Sequence, residues 1–362
     1  EIYFYFYLFK KNNTIQYIMK YILITGGLGF IGSHTCIHLL ENNYNVIVID
    51  NLFNSKPEVK EKIEMITNKK IIFFNIDLLD KDNLWKLFND FSINGVIHFA
   101  GYKSVNESIQ HPINYYNNNI VGTLNLLNVM IEFNVYNLIF SSSSTVYGDV
   151  NKAPLSENNK IGDGITNPYG KTKYMIEEIL MDTVKSDPNF KITSLRYFNP
   201  VGAHSSGIIG ESPNDIPNNL MPYILKVGIF NNIKPIDEKY KSLSIYGSDY
   251  KTIDGTAIRD YIHVDDLAEA HILALINIKR GYNIYNIGTG NGTSVLEMVK
   301  RFMSVNNIDI PYKLVDRRPG DIDIVYCSTD KVYNEWGWKP KFTLDDICRD
   351  SWNFAIKNHE EI

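Results

Sequence analysis

Gly26, Gly29 and Gly32 punctuate Thr25-Gly-Gly-Leu-Gly-Phe-Ile-Gly32, a turn between the apolar run Tyr21-Ile-Leu-Ile24 and a segment of helical length at residues 31–42. Such a turn lets the backbone approach a pyrophosphate, aims a helix N-terminus at it and packs that helix closely on the preceding strand. Glycine turns also arise for backbone reasons alone, so the spacing needs support. Asp50 supplies it by ending the second apolar run, where a carboxylate can accept hydrogen bonds from a ribose and so favours NAD over its phosphorylated form.

The alternation continues. Short runs rich in branched residues recur at Val46-Ile-Val-Ile49, Ile71-Ile-Phe-Phe74, Val96-Ile-His-Phe99, Leu138-Ile-Phe140 and Ile192-Thr-Ser-Leu195, as in strands buried on both faces. Helix-length segments lie between them at 80–91, 113–133 and 169–185. The pattern predicts an α/β fold, a doubly wound parallel, Rossmann-like sheet with right-handed crossovers, over residues 19–199. Beyond Asn199-Pro200 it loosens into loops and then shorter helices at 265–277, 294–304 and 344–356. Residues 200–362 read as a smaller C-terminal α/β domain for substrate, with 259–274 returning to the large sheet. The asparagine richness, as in Asn117-Asn-Asn119, reads as background bias.

Composition narrows the partners. Against 36 Lys and Arg stand 41 Asp and Glu, a net charge of −5, with no basic run beyond Lys10-Lys11. That leaves no electrostatic footprint for nucleic acid or an anionic membrane. Cys36, Cys327 and Cys348 fall in no metal or redox spacing, so no metal is expected, and their odd number suggests a reducing, cytoplasmic setting. The aromatic segment 2–9 is too short to span a bilayer and lacks the basic start and cleavage site of a secretory signal. With Met19 two residues before the first strand, residues 1–18 are expected to be a dispensable N-terminal tail.

The chemistry concentrates downstream. Tyr169 and Lys173 stand one helical turn apart, so the ammonium can lie on the same face as the phenol and favour phenolate. Bringing a tyrosine from near pH 10 to near pH 7 takes about 4 kcal/mol, which one cation at about 4 Å in an effective dielectric near 20 supplies. Ser143, in the run Ser141-Ser-Ser-Ser-Thr145 ending the fifth strand, can pass a proton between substrate and Tyr169. Asp77 either binds adenine or caps the helix from Asp80. Loops carrying Arg196, Arg259, Arg317 and Arg318 suit a diphosphate, while His263 reads as a packing residue.

With the glycine turn, the serine run and Tyr169-x-x-x-Lys173 in hand, the chain resembles the extended short-chain dehydrogenase/reductase superfamily and, within it, the UDP-glucose 4-epimerase family. The likeness runs from Met19 to near the C-terminus. Its most specific stretches include His98-Phe-Ala-Gly101, Leu195-Arg-Tyr-Phe-Asn-Pro-Val-Gly-Ala-His204 and Asp254-Gly-Thr-Ala-Ile-Arg-Asp-Tyr-Ile-His-Val-Asp265. Departures are Ser144, where alanine is common, and one extra residue between it and Tyr169.

That resemblance implies tightly held NAD with contacts at Phe30, Ile31, Asp50, Asn51, Asn54, Ser55, Asp77 and Leu78. Further contacts are implied at Phe99, Ala100, Lys103, Asn118, Tyr169, Lys173 and Phe198. It implies a UDP-hexose among Lys103, Ser143, Tyr169, Phe198, Asn199, Asn219 and Leu220, and also Ser244, Tyr246, Arg259, Tyr261, Arg318 and Asp321. Val325 takes a position where tyrosine marks enzymes restricted to glucose and galactose, so N-acetylated sugars are expected to fit. The implied reaction interconverts UDP-glucose and UDP-galactose through transient oxidation at C4, with Tyr169 taking the 4-hydroxyl proton and Lys173 holding ribose. A homodimer is implied, built from helices near 105–134 and 169–186. Two rivals remain at this stage. A nucleotide-sugar 4,6-dehydratase would need a carboxylic pair where Ser144 and Thr145 stand, and a non-catalytic NAD sensor would have no use for a lysine-tuned tyrosine.

Overall fold

Strand β1 (Tyr21–Thr25) sends alternate side chains to opposite faces, and its first four enter apolar cores. Ile22 and Ile24 enter a core with Ile37 and Leu40 of helix α1 (Phe30–Glu41), while Leu23 enters the other with Leu126 and Met130 of helix α2 (Gly122–Glu132). Fully burying such a side chain contributes about 1.5–3 kcal/mol, so the apolar runs commit the strands to a sheet covered on both sides. The chain is seen in a computed structural model that describes residues 8–11, 14–17, 20–213, 219–235, 237–318 and 320–360.

The remaining strands of this sheet are β2 (Asn45–Asp50), β3 (Ile72–Asn75), β4 (Ile93–His98), β5 (Asn137–Ser143), β6 (Lys191–Tyr197) and β7 (Gly281–Ile287). All pair in parallel, in the order β3-β2-β1-β4-β5-β6-β7. The order reverses direction at β1, which opens a crevice at the carboxyl edge between the loops leaving β1 and β4. Six of these strands match the apolar runs. The seventh, β7, lies in the half of the chain assigned to the smaller domain. Helix α4 (Val264–Ile276) likewise packs against the large sheet, where Leu267 and Ala270 share the core of Ile22 and Val46. The segment returning to the sheet therefore reaches Ile287 and includes an edge strand.

Helix α3 (Pro168–Ser186) begins where its sequence dictates. The Asn167 side chain accepts a hydrogen bond from Gly170 N at 2.8 Å, and Pro168 occupies the first turn, where no N–H is needed. Tyr169 is thereby fixed in the first turn, at the sheet edge. The helical segment expected over residues 113–133 is present, but its middle widens into a π-helical stretch, Tyr116–Val121, before α2. Such wide turns often mark functional sites, and this one carries Asn118 and Asn119.

Smaller units complete the cleft's far wall. Leu243–Tyr246 pairs in parallel with Tyr312–Val315, and Ile258–Arg259 lies between Thr293–Ser294 and Ile324–Val325. Leu243 and Ile245 of the first pair pack with Met221, Ile224, Phe302 and Trp352 in a separate core. In the N-terminal tail, Leu8–Lys11 and Thr14–Tyr17 pair as an antiparallel hairpin; the rest of 1–18 lies outside the described residues. Among the described residues, no helix is long and apolar enough to cross a membrane, and no cluster of His, Cys, Asp or Glu is placed to hold a metal.

Candidate active site

A cleft of about 870 Å³ follows the carboxyl edge of the large sheet and continues to the smaller units. Of the residues singled out from the sequence for chemistry, cofactor or substrate, all but Arg196 and Arg317 border it.

At one end lies the glycine turn. Gly26 has φ of +68°, and a Cβ there would fall 2.8 Å from Ala100 N; one on Gly32 would fall 2.3 Å from the Gly26 carbonyl oxygen. Larger residues at either position would force the turn apart. Helix α1 starts with no side-chain cap and no acidic residue in its first turn, so its leading N–H groups remain free for an anion. Asp50 accepts hydrogen bonds from Leu28 N (3.1 Å), Leu52 N (2.9 Å) and Ser55 Oγ (2.7 Å), so most of its acceptor capacity already organises the loop around it. Asp77 lies two residues past the end of β3 and is no helix cap, since Asp80 takes that role. It accepts instead from Asn51 Nδ2 (2.8 Å) and Leu79 N (2.8 Å).

At the centre, Tyr169, Ser143 and Lys173 converge. Ser143 Oγ accepts from Thr145 N at 3.2 Å and from Thr145 Oγ1 at 3.0 Å, which fixes its hydroxyl at the strand end. Lys173 is buried, and its Nζ donates to the Ser141 carbonyl at 2.6 Å while lying 5.9 Å from the Tyr169 ring centroid. Burial lowers the Lys173 ammonium to about 8, against the opposing pull of Glu177. The Tyr169 phenol is raised by burial, a shift that a hydrogen bond with Ser143 opposes. The expected depression of the phenol by its neighbouring cation is thus absent from the protein alone. The ammonium is drawn to a strand carbonyl, and desolvation of the phenolate outweighs the hydrogen bond.

Behind these groups, Arg196 and Glu177 form a buried ion pair with Nη2 to Oε2 at 2.6 Å; Ser142 Oγ also donates to Glu177, and Tyr147 stacks beneath the guanidinium. Arg196 is therefore structural and does not face the diphosphate end.

The other end carries the arginines. Arg318 Nε donates to Asp321 at 3.0 Å, and its guanidinium lies 5.0 Å from the centroid of Tyr246. Arg259 stands beside Val325 in adjoining strands, and burial pushes the Tyr261 phenol up to about 12 despite both arginines. Arg317 differs from Arg318, because it covers Tyr250 and pairs with Asp249 away from the cleft. His263 is buried, accepts from Asp265 N and stacks on Phe342.

The match to the NAD dependent epimerase/dehydratase family covers residues 22–288. The chain belongs to this family. Among its relatives, the UDP-glucose 4-epimerase of Pasteurella multocida is 52% identical over 339 residues, 93% of this chain and 98% of that one. The UDP-glucose 4-epimerase of Haemophilus influenzae is 51% identical over the same length and coverage. The crystal structure of UDP-glucose 4-epimerase from Bifidobacterium longum in complex with NAD+ and UDP superposes with a TM-score of 0.89 at 46% identity, covering 94% of this chain and all of that one. In this family member NAD fits the residues present: an uncapped helix N-terminus, two glycines with no room for a side chain, and a carboxylate closing β2.

Two residues of this epimerase/dehydratase site escaped the sequence reading. Asn119, taken for compositional bias, is buried and ties three segments: its Oδ1 accepts from Tyr102 N (2.7 Å), and its Nδ2 donates to Tyr102 O (3.1 Å) and to Thr172 Oγ1 beside Lys173 (3.0 Å). Glu211 accepts from both Lys103 Nζ (2.8 Å) and Asn219 Nδ2 (3.2 Å), joining two residues read as substrate contacts. Asn119 offered the signal of a polar residue on an otherwise core-facing turn. Glu211 offered none.

Proposed function

We infer that the chain is an NAD-dependent UDP-hexose 4-epimerase that interconverts UDP-glucose and UDP-galactose. The observation that carries this reading is the convergence of Tyr169, Ser143 and Lys173 between an NAD-fitting turn and an arginine-lined end in one cleft. A dehydratase would need acid groups after β5, and Ser144 and Thr145 provide none.

Bound NAD supplies a transient hydride acceptor at C4 of the sugar. The chain's own residues handle the proton and the positioning. Tyr169 receives the 4-hydroxyl proton, directly or through Ser143, and returns it after the sugar has presented its other face. Lys173, on the same helix face, holds the ribose hydroxyls and adds positive potential beside the phenol. Arg259 and Arg318 grip the diphosphate, so the hexose can turn while UDP stays fixed. No net redox results. Denaturing the purified protein should release NAD, and the intact protein should convert UDP-galactose to UDP-glucose without added reductant; a protein with neither property is no epimerase.

The enzyme works as a cytoplasmic homodimer in this reading. Ile113, Val121, Leu124 and Met175 are exposed on the helical segments around 105–134 and on α3, an apolar set that a second copy would cover. Ile113→Asp should shift the protein to monomers in sedimentation; a parent already monomeric at micromolar concentration removes the dimer.

A further inference from the structure

Phe53 and Tyr102 stack with ring centroids 4.5 Å apart, tilted by 35°. Phe53 belongs to the loop leaving β2 and Tyr102 to the loop leaving β4, and these two strands flank β1 on either side. A contact between their loops passes over the end of β1, where the glycine turn lies. Both rings border the cleft beside residues read as cofactor contacts.

Neither ring is placed by chance. The Phe53 turn is stapled by Asp50 to Leu52 N (2.9 Å) and by Asn51 Oδ1 to Phe53 N (3.1 Å). Leu52 is held at φ of +60°, a region that costs a residue with a side chain on the order of 1 kcal/mol, so the turn is imposed by its surroundings. Tyr102 is fixed from the other side by Asn119, and its ring meets the buried Tyr115 edge-on at 5.4 Å. Phe53 itself is 55% exposed, which leaves it little to contribute to the folding core. Its packing makes sense as a cover.

We propose that Phe53 and Tyr102 form an aromatic clasp over the bound cofactor and slow its release. The clasp rests on the NAD-binding reading and adds to it two residues that the chemistry does not use. Retention has a purpose here, because a reaction with no net redox regenerates its cofactor in place at every turnover. The rings must part for NAD to leave, so losing either ring should act on the same step.

The test measures NAD release from the holoenzyme after rapid dilution, for the parent, Phe53→Ala, Tyr102→Ala and the double variant. Each single substitution should speed release about 3- to 10-fold, the equivalent of one aromatic pair, and the double should be about as fast as the faster single. Phe53→Leu, which keeps apolar cover without a ring, should fall between. The dissociation constant for UDP, measured alongside, should stay within about twofold, because neither ring is among the residues read as UDP-sugar contacts. Release unchanged in both singles, or effects that multiply fully in the double, would overturn the clasp while leaving NAD binding intact. A parent that binds no NAD would overturn the clasp and the reading beneath it together.

Discussion

Lys173 Nζ lies 2.6 Å from the Ser141 carbonyl and 5.9 Å from the Tyr169 ring centroid. The cation one turn from the phenol is therefore moored to the strand that ends in the serines, and helix α3 is pinned to β5 at the chemical centre. Burial pulls the ammonium down toward 8 and pushes the phenol up, so in the protein alone both groups favour their neutral forms more than free side chains do. A positively charged nicotinamide ring and a substrate hydroxyl would favour the phenolate.

Tyr169→Phe keeps the ring's packing and removes the proton acceptor. The variant should lose about 10²- to 10⁴-fold in kcat, the share usual for a positioned acid or base, while retaining NAD and cooperative unfolding. A variant within a few-fold of the parent would take Tyr169 out of that role.

Burial of the Lys173 ammonium is expected to cost the folded protein stability. Its folded-state value of about 8 lies below the ordinary 10.5, so between these values the folded state binds fewer protons than the unfolded chain. Stability contributed through this group rises with pH across that window, and the burial cost is complete below it. That cost is about 3 kcal/mol, offset by about 1 kcal/mol for the hydrogen bond to Ser141. Lys173→Met should thus be nearly inactive yet more stable at pH 7 by about 2 kcal/mol, the gain shrinking toward pH 10. Urea denaturation at the two pH values measures this, and a variant no more stable at pH 7 would refute the account.

Much of this was legible in the chain. Six strands could be read because each carries a short apolar run, clearest in the doubly covered Tyr21–Thr25 and Asn45–Asp50. The seventh, Gly281–Ile287, sits at the sheet edge with its first four residues half-buried, and Tyr282, Asn283 and the buried Asn286 interrupt its apolar run. The site residues were legible as types at strand ends. Their pairings were not: Lys173 choosing a carbonyl, Asn119 linking three segments and Phe53 reaching Tyr102 all join positions far apart in sequence through loops of no fixed period.

Glu177 and Arg196 predict a stability effect. Glu177→Gln removes the charge that compensates a guanidinium only 1% exposed, and should cost about 3–5 kcal/mol in denaturant melts. Replacing both at once, by Glu177→Leu with Arg196→Met, should recover most of that loss, since no charge is then left buried alone. Equal losses in single and double variants would show that the pair's packing, rather than its charge balance, matters.

Val325 is expected to set how much room the sugar's C2 substituent has. It lies beside Arg259 in parallel register, packs with Phe198, Tyr147 and Leu155, and borders the cleft. A valine in that place leaves open space that a tyrosine ring would fill, and a filled pocket rejects a larger substituent by steric clash. Lys103 and Asn199 also border the cleft and would have to close over the same space to exclude an N-acetyl group. Lys103, however, is held by Glu211 at 2.8 Å. The parent should therefore convert UDP-N-acetylglucosamine as well as UDP-glucose. Val325→Tyr should lower kcat/KM for the N-acetylated sugar by roughly 10- to 200-fold while sparing UDP-galactose within about threefold. A parent enzyme that turns over UDP-galactose but neither N-acetylhexosamine nucleotide would sink the idea, because the space beside Val325 would then be closed by something other than its side chain.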